Sequence, residues 1–317
     1  MRGRTAVALP RRMLGTTVLD RYRVEAELGA GAMGTVYRAR HVRVGRTVAI
    51  KVLHPHMRRE SERFEREARL AARLHHTNVA AVVDLEDGMM VMEHAPGRPL
   101  ADLVGTPMSR ARAIAIVRQI LAGLDHAHAM GLVHRDLKPE NIMIDDDRVC
   151  IVDWGIAVLR DGCDDDTRRL TTAGLVLGTP MYMAPEQARG ERVDERCDLF
   201  ALGVIVYELL AGVGPFEGGG LDVIVANLTQ EPPSIATRAG VDVDPALEAF
   251  ARRLMAHRAD DRFASAHAAL LALDCIAAAP WVPAPVEVET TARFQRPQPR
   301  RSSWGNLVAA AVGWLHR

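Results

Sequence analysis

The stretch His134-Arg-Asp-Leu-Lys-Pro-Glu-Asn141, with Ile142-Met-Ile144 and then Asp153-Trp-Gly155 after it, governs how the rest of the chain is read. It sets an acid, an ammonium, an amide and a second acid at short intervals around a proline. Asp136 suits taking or aligning a hydroxyl proton, and Lys138 suits neutralising charge on a phosphoryl group in transfer. Asn141 and Asp153 offer hard oxygen atoms of the kind Mg2+ prefers. Each residue alone is an ordinary loop polar group. The spacing, taken with what precedes it, is what carries the chemistry.

Upstream, Leu28-Gly-Ala-Gly-Ala-Met-Gly-Thr-Val36 carries GxGxxG at Gly29, Gly31 and Gly34. A dinucleotide-binding turn needs a helix after the glycines. A β-branched strand follows instead, which predicts a glycine hairpin lying over phosphates. In Val48-Ala-Ile-Lys51 a lysine sits among apolar strand residues; read alone, it snorkels to water from an edge strand. A partner is at hand in Glu67, on the apolar stripe of the following helix with Phe64 at i−3 and Ala71 at i+4. An acid there is costly unless paired. The chain has 38 arginines and only two lysines, Lys51 and Lys138. Both fall where a compact ammonium facing phosphate is expected, not a planar fork.

Around these motifs the pattern predicts a small, mainly antiparallel sheet with one helix. Strands are expected over 22–28, 35–39, 47–53, 82–85 and 89–93, the last two joined by the turn residues Asp87-Gly88. Residues 60–76 have helical spacing, with Phe64, Ala68, Ala71 and Leu74 on one stripe. From Ser109, a candidate cap, the chain turns helical over 109–130, 194–211, 245–257 and 265–278. Five prolines between 280 and 299 read as an extended linker. The expected organisation is a basic extension over 1–19, a small lobe over 20–95, a large lobe over 96–278 and a tail over 279–317.

The 317 residues are 48% hydrophobic and 25% charged, which excludes a disordered or disulfide-scaffold chain. Forty basic residues balance forty acidic ones, so there is no polyanion-binding signature. All the acids lie between Asp20 and Glu289; that middle is net −9, flanked by ends of +4 and +5. Four scattered cysteines without a CxxC pair argue against a metal or disulfide framework and fit a reducing compartment. The N-terminus lacks the apolar run of a signal peptide, and no stretch is long enough to span a membrane.

With the glycines, Lys51, Glu67, His134-Arg-Asp136 through Asn141, Asp153-Trp-Gly155 and Ala184-Pro-Glu186 in this order, the chain resembles the protein kinases. It looks most like the bacterial eukaryotic-like (Hanks-type) serine/threonine kinases, from about Tyr22 to about Cys275. The resemblance implies an α+β, bilobal fold with ATP in the cleft. It implies that Gly29, Gly31 and Gly34 cover the phosphates and that Lys51 holds them while paired with Glu67. It makes Asp136 the catalytic base or aligner, Lys138 the γ-phosphate lysine, and Asn141 and Asp153 the ligands of Mg2+, with Mn2+ as a substitute. Adenine would bond backbone groups of Glu93 and Ala95, beside Leu28, between Val36 and Ala49 above and Met143 below, with Met92 as gatekeeper. Asp198 and Arg262 match structural residues, Arg262 pairing with Glu186. Lys138 and Gly178-Thr179-Pro180 resemble the serine/threonine class, with Thr179 supporting Asp136.

The implied partners are protein substrates with Ser or Thr, and the chain itself by autophosphorylation, but no nucleic acid; a homodimer is a further implied assembly. Thr171 and Thr172, near Arg168 and Arg169, are the candidate phosphorylation sites, with Arg135 as phosphate partner. The apolar, Arg-flanked segment 304–315 suggests either a peripheral membrane contact or a protein groove, on an otherwise cytoplasmic chain. Trp154 stands where the family usually has Phe, and Ala71, four residues after Glu67, stands where it often has something larger. The two are expected to share one volume. The alternative to an active kinase is a nucleotide-binding scaffold with little transfer.

Overall fold

Strand β4 (Thr47–Leu53) is buried along nearly its whole length because both of its faces are covered. Val48, Ile50 and Val52 point into one apolar cluster with Tyr22, Val24, Tyr37 and Val91. Ala49 and Leu53 point the other way, into a cluster with Phe64, Ala68, Met90 and Met92. The period of two therefore puts Lys51 on the second face, toward the helix that follows. Around β4 the sheet runs β1 (Thr17–Val18), β2 (Tyr22–Ala30), β3 (Gly34–His41), β4, β6 (Met89–Glu93), β5 (Val82–Glu86), with every neighbouring pair antiparallel. The β5–β6 turn takes Asp87 to φ 51° and Gly88 to φ 75°, the doubly left-handed turn that the Asp-Gly pair predicts.

The computed structural model describes residues 13–31, 34–55, 61–154 and 180–282, the side chains of 61–63, 66 and 67 excepted. All of these fall within one compact unit, Met1–Pro283. Helix α1 (Ser61–Ala71) bridges two cores: Phe64 and Ala68 join the sheet cluster, while Ala71 and, past the helix end, Leu74 join the large-lobe cluster. The predicted stripe is thus buried throughout, although the helix stops before residue 76. The segment that follows is fastened to a second, three-stranded sheet of β7 (Arg98–Pro99), β8 (Ile142–Asp145) and β9 (Arg148–Ile151). Ile151 N–H donates to the Asn78 carbonyl at 2.8 Å, Ala80 N–H to the Ile151 carbonyl at 2.9 Å, and Asn78 Nδ2 to the Val149 carbonyl at 2.7 Å.

The large lobe comprises α2 (Arg110–Ala129), α3 (Pro185–Ala188), α4 (Arg196–Ala211), α5 (Gly220–Thr229), α6 (Ile235–Ala239), α7 (Pro245–Leu254) and α8 (Ala266–Ala278). Helix α4 is mostly apolar and is buried on every side from Cys197 to Ala211, as a central helix must be. Ser109 and Ser265 cap α2 and α8 by accepting from Arg112 N–H and Ala268 N–H. The expected start of α4 at Asp194 moves to Arg196 because Asp194 Oδ1 accepts from the Arg196 amide at 2.9 Å. The short elements β1, β7, β8, β9, α5 and α6 carry too little periodicity to have been predicted. Among the described residues no helix is long and apolar enough to cross a membrane. The linker from residue 283 and the segment 304–315 lie outside the described residues.

Candidate active site

The loop His134-Arg135-Asp136 is held by groups distant in sequence. Asp198, in the first turn of α4 and 1% exposed, accepts from His134 N–H at 2.8 Å, Arg135 N–H at 2.7 Å and His128 Nε2 at 2.8 Å. Burial opposes its charge, but these donors and the imidazole of His128 outweigh it and hold the carboxyl below the usual carboxylate range. Its contribution to stability is therefore full above the ordinary carboxylate pKa and is lost as pH falls through the lowered folded value. Gln187 on α3 donates to the Arg135 carbonyl at 2.9 Å. These bonds keep Arg135 at φ 65°, a left-handed conformation that a non-glycine residue holds at a cost of about 1–3 kcal/mol.

On this support sit the polar groups read from the sequence. Lys138 Nζ donates to Asp136 Oδ2 at 2.8 Å, and Asn141 Nδ2 donates to the Asp136 carbonyl at 2.8 Å. Asp136 is half exposed, so its carboxylate faces the open side of the loop. With its amide nitrogen spent on Asp136, Asn141 presents its side-chain oxygen as the available ligand. Across the cleft Lys51, 8% exposed on β4, donates to Asp153 Oδ1 at 2.5 Å. Burial raises the cost of charge on Asp153, yet the adjacent Lys51 ammonium, with His134 and Lys138 beyond, brings its carboxyl below the ordinary value. Among the described residues no three His, Cys, Asp or Glu side chains group as a metal cluster. One carboxylate and one amide oxygen suit Mg2+, which completes its shell with phosphate oxygens and water.

The glycine hairpin joins β2 to β3, with Gly31 N–H donating to the Gly34 carbonyl at 2.9 Å. His54, just after β4, bonds the Gly31 carbonyl at 3.0 Å, a clasp that no motif announced. Gly34 is glycine for a packing reason: a Cβ there would lie 2.3 Å from the Val52 carbonyl oxygen on β4. A Cβ on Gly29 would meet nothing within 4 Å. Leu28 is half exposed at the hairpin's edge. Val36 and Ala49 pack with Met92 in one cluster above the cleft, and Met143 on β8 is half buried and belongs to none of the apolar clusters. The Glu93 amide is spent on the Ala81 carbonyl at 2.8 Å, and Arg46 is paired with the Glu93 carboxylate. Opposite Met143, Cys150 is no nucleophile, since burial pushes its thiol up to about 11.

The structure does not describe every expected site residue. Glu67 falls on α1, but its side chain lies outside the described residues, as do Thr171, Thr172 and Thr179. Glu186 and Arg262 form the expected pair, with bonds of 2.7 and 2.8 Å. Ala71 and Trp154 are 2% and 4% exposed in the same core cluster. If they share one volume, Ala71→Leu lowers stability by about 1–3 kcal/mol and Trp154→Phe on that background recovers most of it. A double-mutant cycle by denaturant unfolding measures the coupling, and additive losses would refute shared volume.

A family model described as the protein kinase domain matches residues 22–272. The chain is 42% identical over 272 residues to serine/threonine-protein kinase pkn3 of Myxococcus xanthus, covering 80% of this chain and 50% of that one. It is 38% identical over 261 residues to serine/threonine-protein kinase PknB of Mycolicibacterium smegmatis, covering 78% and 41%. The chain thus spans half or less of the length of these relatives. Its fold is similar to the crystal structure of the Mycobacterium tuberculosis PknI kinase domain, with TM-score 0.65 and 29% identity, covering 84% of this chain and 100% of that one.

Proposed function

Because the chain belongs to the protein kinase family, we propose that it is an ATP-dependent serine/threonine protein kinase that transfers the γ-phosphoryl group to protein hydroxyls. The observation that carries this reading is the bonded set Asp136, Lys138 and Asn141 facing the Lys51–Asp153 pair. Lys138 also lies close enough to Asp153 to act on its charge, which links the two bonded groups. Asp136 accepts or aligns the hydroxyl proton, and Lys138, next to it, offsets charge gathering on the transferring group. Lys51 fixes the α- and β-phosphates, with Glu67 as its further partner. Asn141 and Asp153 would hold Mg2+, which when bound neutralises charge on the phosphate oxygens. No covalent enzyme intermediate is required; position and charge supply most of the rate.

Adenine is assigned to the space between Val36 and Ala49 on one side and Met143 on the other, bonded to backbone groups at Glu93 and Ala95, with Leu28 at the mouth. The Ala95 amide and carbonyl have no hydrogen-bond partner among the described residues, which leaves both free for this use. Gly29, Gly31 and Gly34 shape the hairpin above the phosphates. Lys138 favours Ser and Thr as acceptors, with Thr179 supporting Asp136 from the substrate loop.

The test is incubation of the purified chain with Mg-ATP followed by phosphosite mapping. Phosphoserine or phosphothreonine, first at Thr171 and Thr172, is the expected product. The Thr171→Ala, Thr172→Ala double variant should transfer more slowly, because Arg135 then lacks its phosphate partner. Phosphate confined to residues outside 155–179, with the double variant fully active, would sink the regulatory part. Nucleotide binding without any transfer would favour the scaffold alternative.

A further inference from the structure

The chain between α1 and β5 turns over 76–79, where Val79 N–H donates to the His76 carbonyl at 3.1 Å. Two half-buried imidazoles hold this turn, and both act as acceptors. Asn78 N–H donates to His76 Nδ1 at 3.2 Å, and His75 N–H donates to Nε2 of His126, on α2, at 3.3 Å. A backbone amide can only donate, so each ring must offer a lone pair at that nitrogen, which the imidazolium lacks. The two rings lie nearly parallel, with 22° between their planes and 5.2 Å between their centres. Burial first, and then His126, bring the His76 imidazole below its ordinary pKa, against the pull of Asp125 on α2. His267 on α8 bonds the Asp125 carboxylate at 3.3 Å and so draws on the same charge. Further charged groups on the packed segments, Arg73, His75, Asp147 and Arg148, are exposed.

We propose that His76 and His126 form a latch that holds the segment 75–78 against α2 while both rings are neutral and releases it in acid. Protonation turns each acceptor nitrogen into a donor aimed at a backbone N–H, so the bond is lost and repulsion replaces it. Two imidazolium rings face to face also repel each other. The contribution of the latch to stability is therefore full above the ordinary histidine pKa and is lost as pH falls through the lowered folded value. The segment matters beyond itself because Asn78 fastens β9, with Nδ2 on the Val149 carbonyl and its own carbonyl on Ile151 N–H. Asn78 Nδ2 also bonds Gln119 Oε1 on α2 at 3.0 Å. Strand β9 ends at Ile151, two residues before Asp153. Acid at the latch thus loosens the strand that delivers Asp153 to the cleft. That consequence for transfer rests on the kinase reading of the site; the latch itself does not.

The test keeps the bonds and removes the titration. In the full chain, His76→Asn sets an amide oxygen where Nδ1 stands and His126→Gln sets one near Nε2. The double variant then accepts from both backbone amides but takes up no proton. Hydrogen exchange of the 75–78 amides, corrected for intrinsic rate, should speed about tenfold in the parent between about pH 7.5 and 5.5, the scale of one hydrogen bond, and stay level in the double variant. NMR of the imidazole carbons should show linked titrations, with His126→Gln alone raising the His76 midpoint. Phosphoryl transfer should fall further in acid for the parent than for the double variant, by a similar factor. Exchange that responds to acid equally in both proteins, or a His76 midpoint indifferent to His126→Gln, overturns the proposal. Should the double variant not fold, each single variant gives the same comparison at its own amide. If the parent protein transfers nothing, the kinase reading fails, while exchange and titration still decide the latch.

Discussion

Asp153→Asn should leave the chain folded and lower phosphoryl transfer by at least about a thousandfold. The substitution keeps volume and tolerance of the left-handed backbone, since Asn adopts φ near 60° as readily as Asp. What it removes is charge. The carboxylate is the partner of the Lys51 ammonium at 2.5 Å and the anionic member of the proposed Asn141–Asp153 ligand pair. Asp136→Asn should cost as much for a different reason, because an amide cannot accept a hydroxyl proton. Lys51→Arg should also fail. A planar fork does not fit a strand position set between Val36 on β3 and Met90 on β6, where the parent side chain is 10% exposed. Initial rates with a Ser/Thr peptide, measured beside melting temperatures, check all three. A variant that keeps near-normal transfer loses the role assigned to its residue.

Much of the candidate site is legible in the sequence because the chemistry sits in short, ordered motifs. Asp136, Lys138 and Asn141 lie within six residues, so their meeting follows from local chain reach. The β-branched alternation of 47–53 and the Asp87-Gly88 turn likewise act over a few residues and predicted the sheet. The support beneath the loop was less legible because its partners are far apart. His128 reaches Asp198 across 70 positions, and Gln187 reaches the Arg135 carbonyl across 52. A histidine on a helix and a glutamine after Pro-Glu carry no signal of such contacts. Gly34 shows a subtler limit. The motif assigns it to phosphate, whereas its missing side chain is demanded by the backbone of the neighbouring strand. Asp153 and Arg135 at positive φ were also invisible, since neither is a residue type that advertises it as glycine does.

The largest stability effect should come from Arg262, well away from the cleft. Its guanidinium uses all five N–H donors. Nε bonds the Ala256 carbonyl at 2.8 Å, one terminal nitrogen bonds Glu186 and the Arg196 carbonyl, and the other bonds Glu186 and the His257 carbonyl. The plane also lies over the Phe200 ring at 5.1 Å, and the residue is 2% exposed. Arg262→Met leaves the Glu186 carboxylate, 7% exposed, without its counter-charge and strips the carbonyls of their donor. Breaking such a buried pair from one side costs about 3–5 kcal/mol. Lysine should rescue little, having neither the fork nor the stacking plane. Adding Glu186→Leu should recover much of the loss, because a charge buried alone costs more than an apolar pair of similar volume. Activity should fall further than unfolding explains. Glu186 precedes Gln187, and a loosened α3 releases the bond that Gln187 makes to the Arg135 carbonyl. Denaturant midpoints of the three variants test the energetics, with rates measured well below each transition. An Arg262→Met protein within about 1 kcal/mol of the parent would mean that solvent or a rearranged neighbour satisfies Glu186, and that the pair does not anchor the catalytic loop.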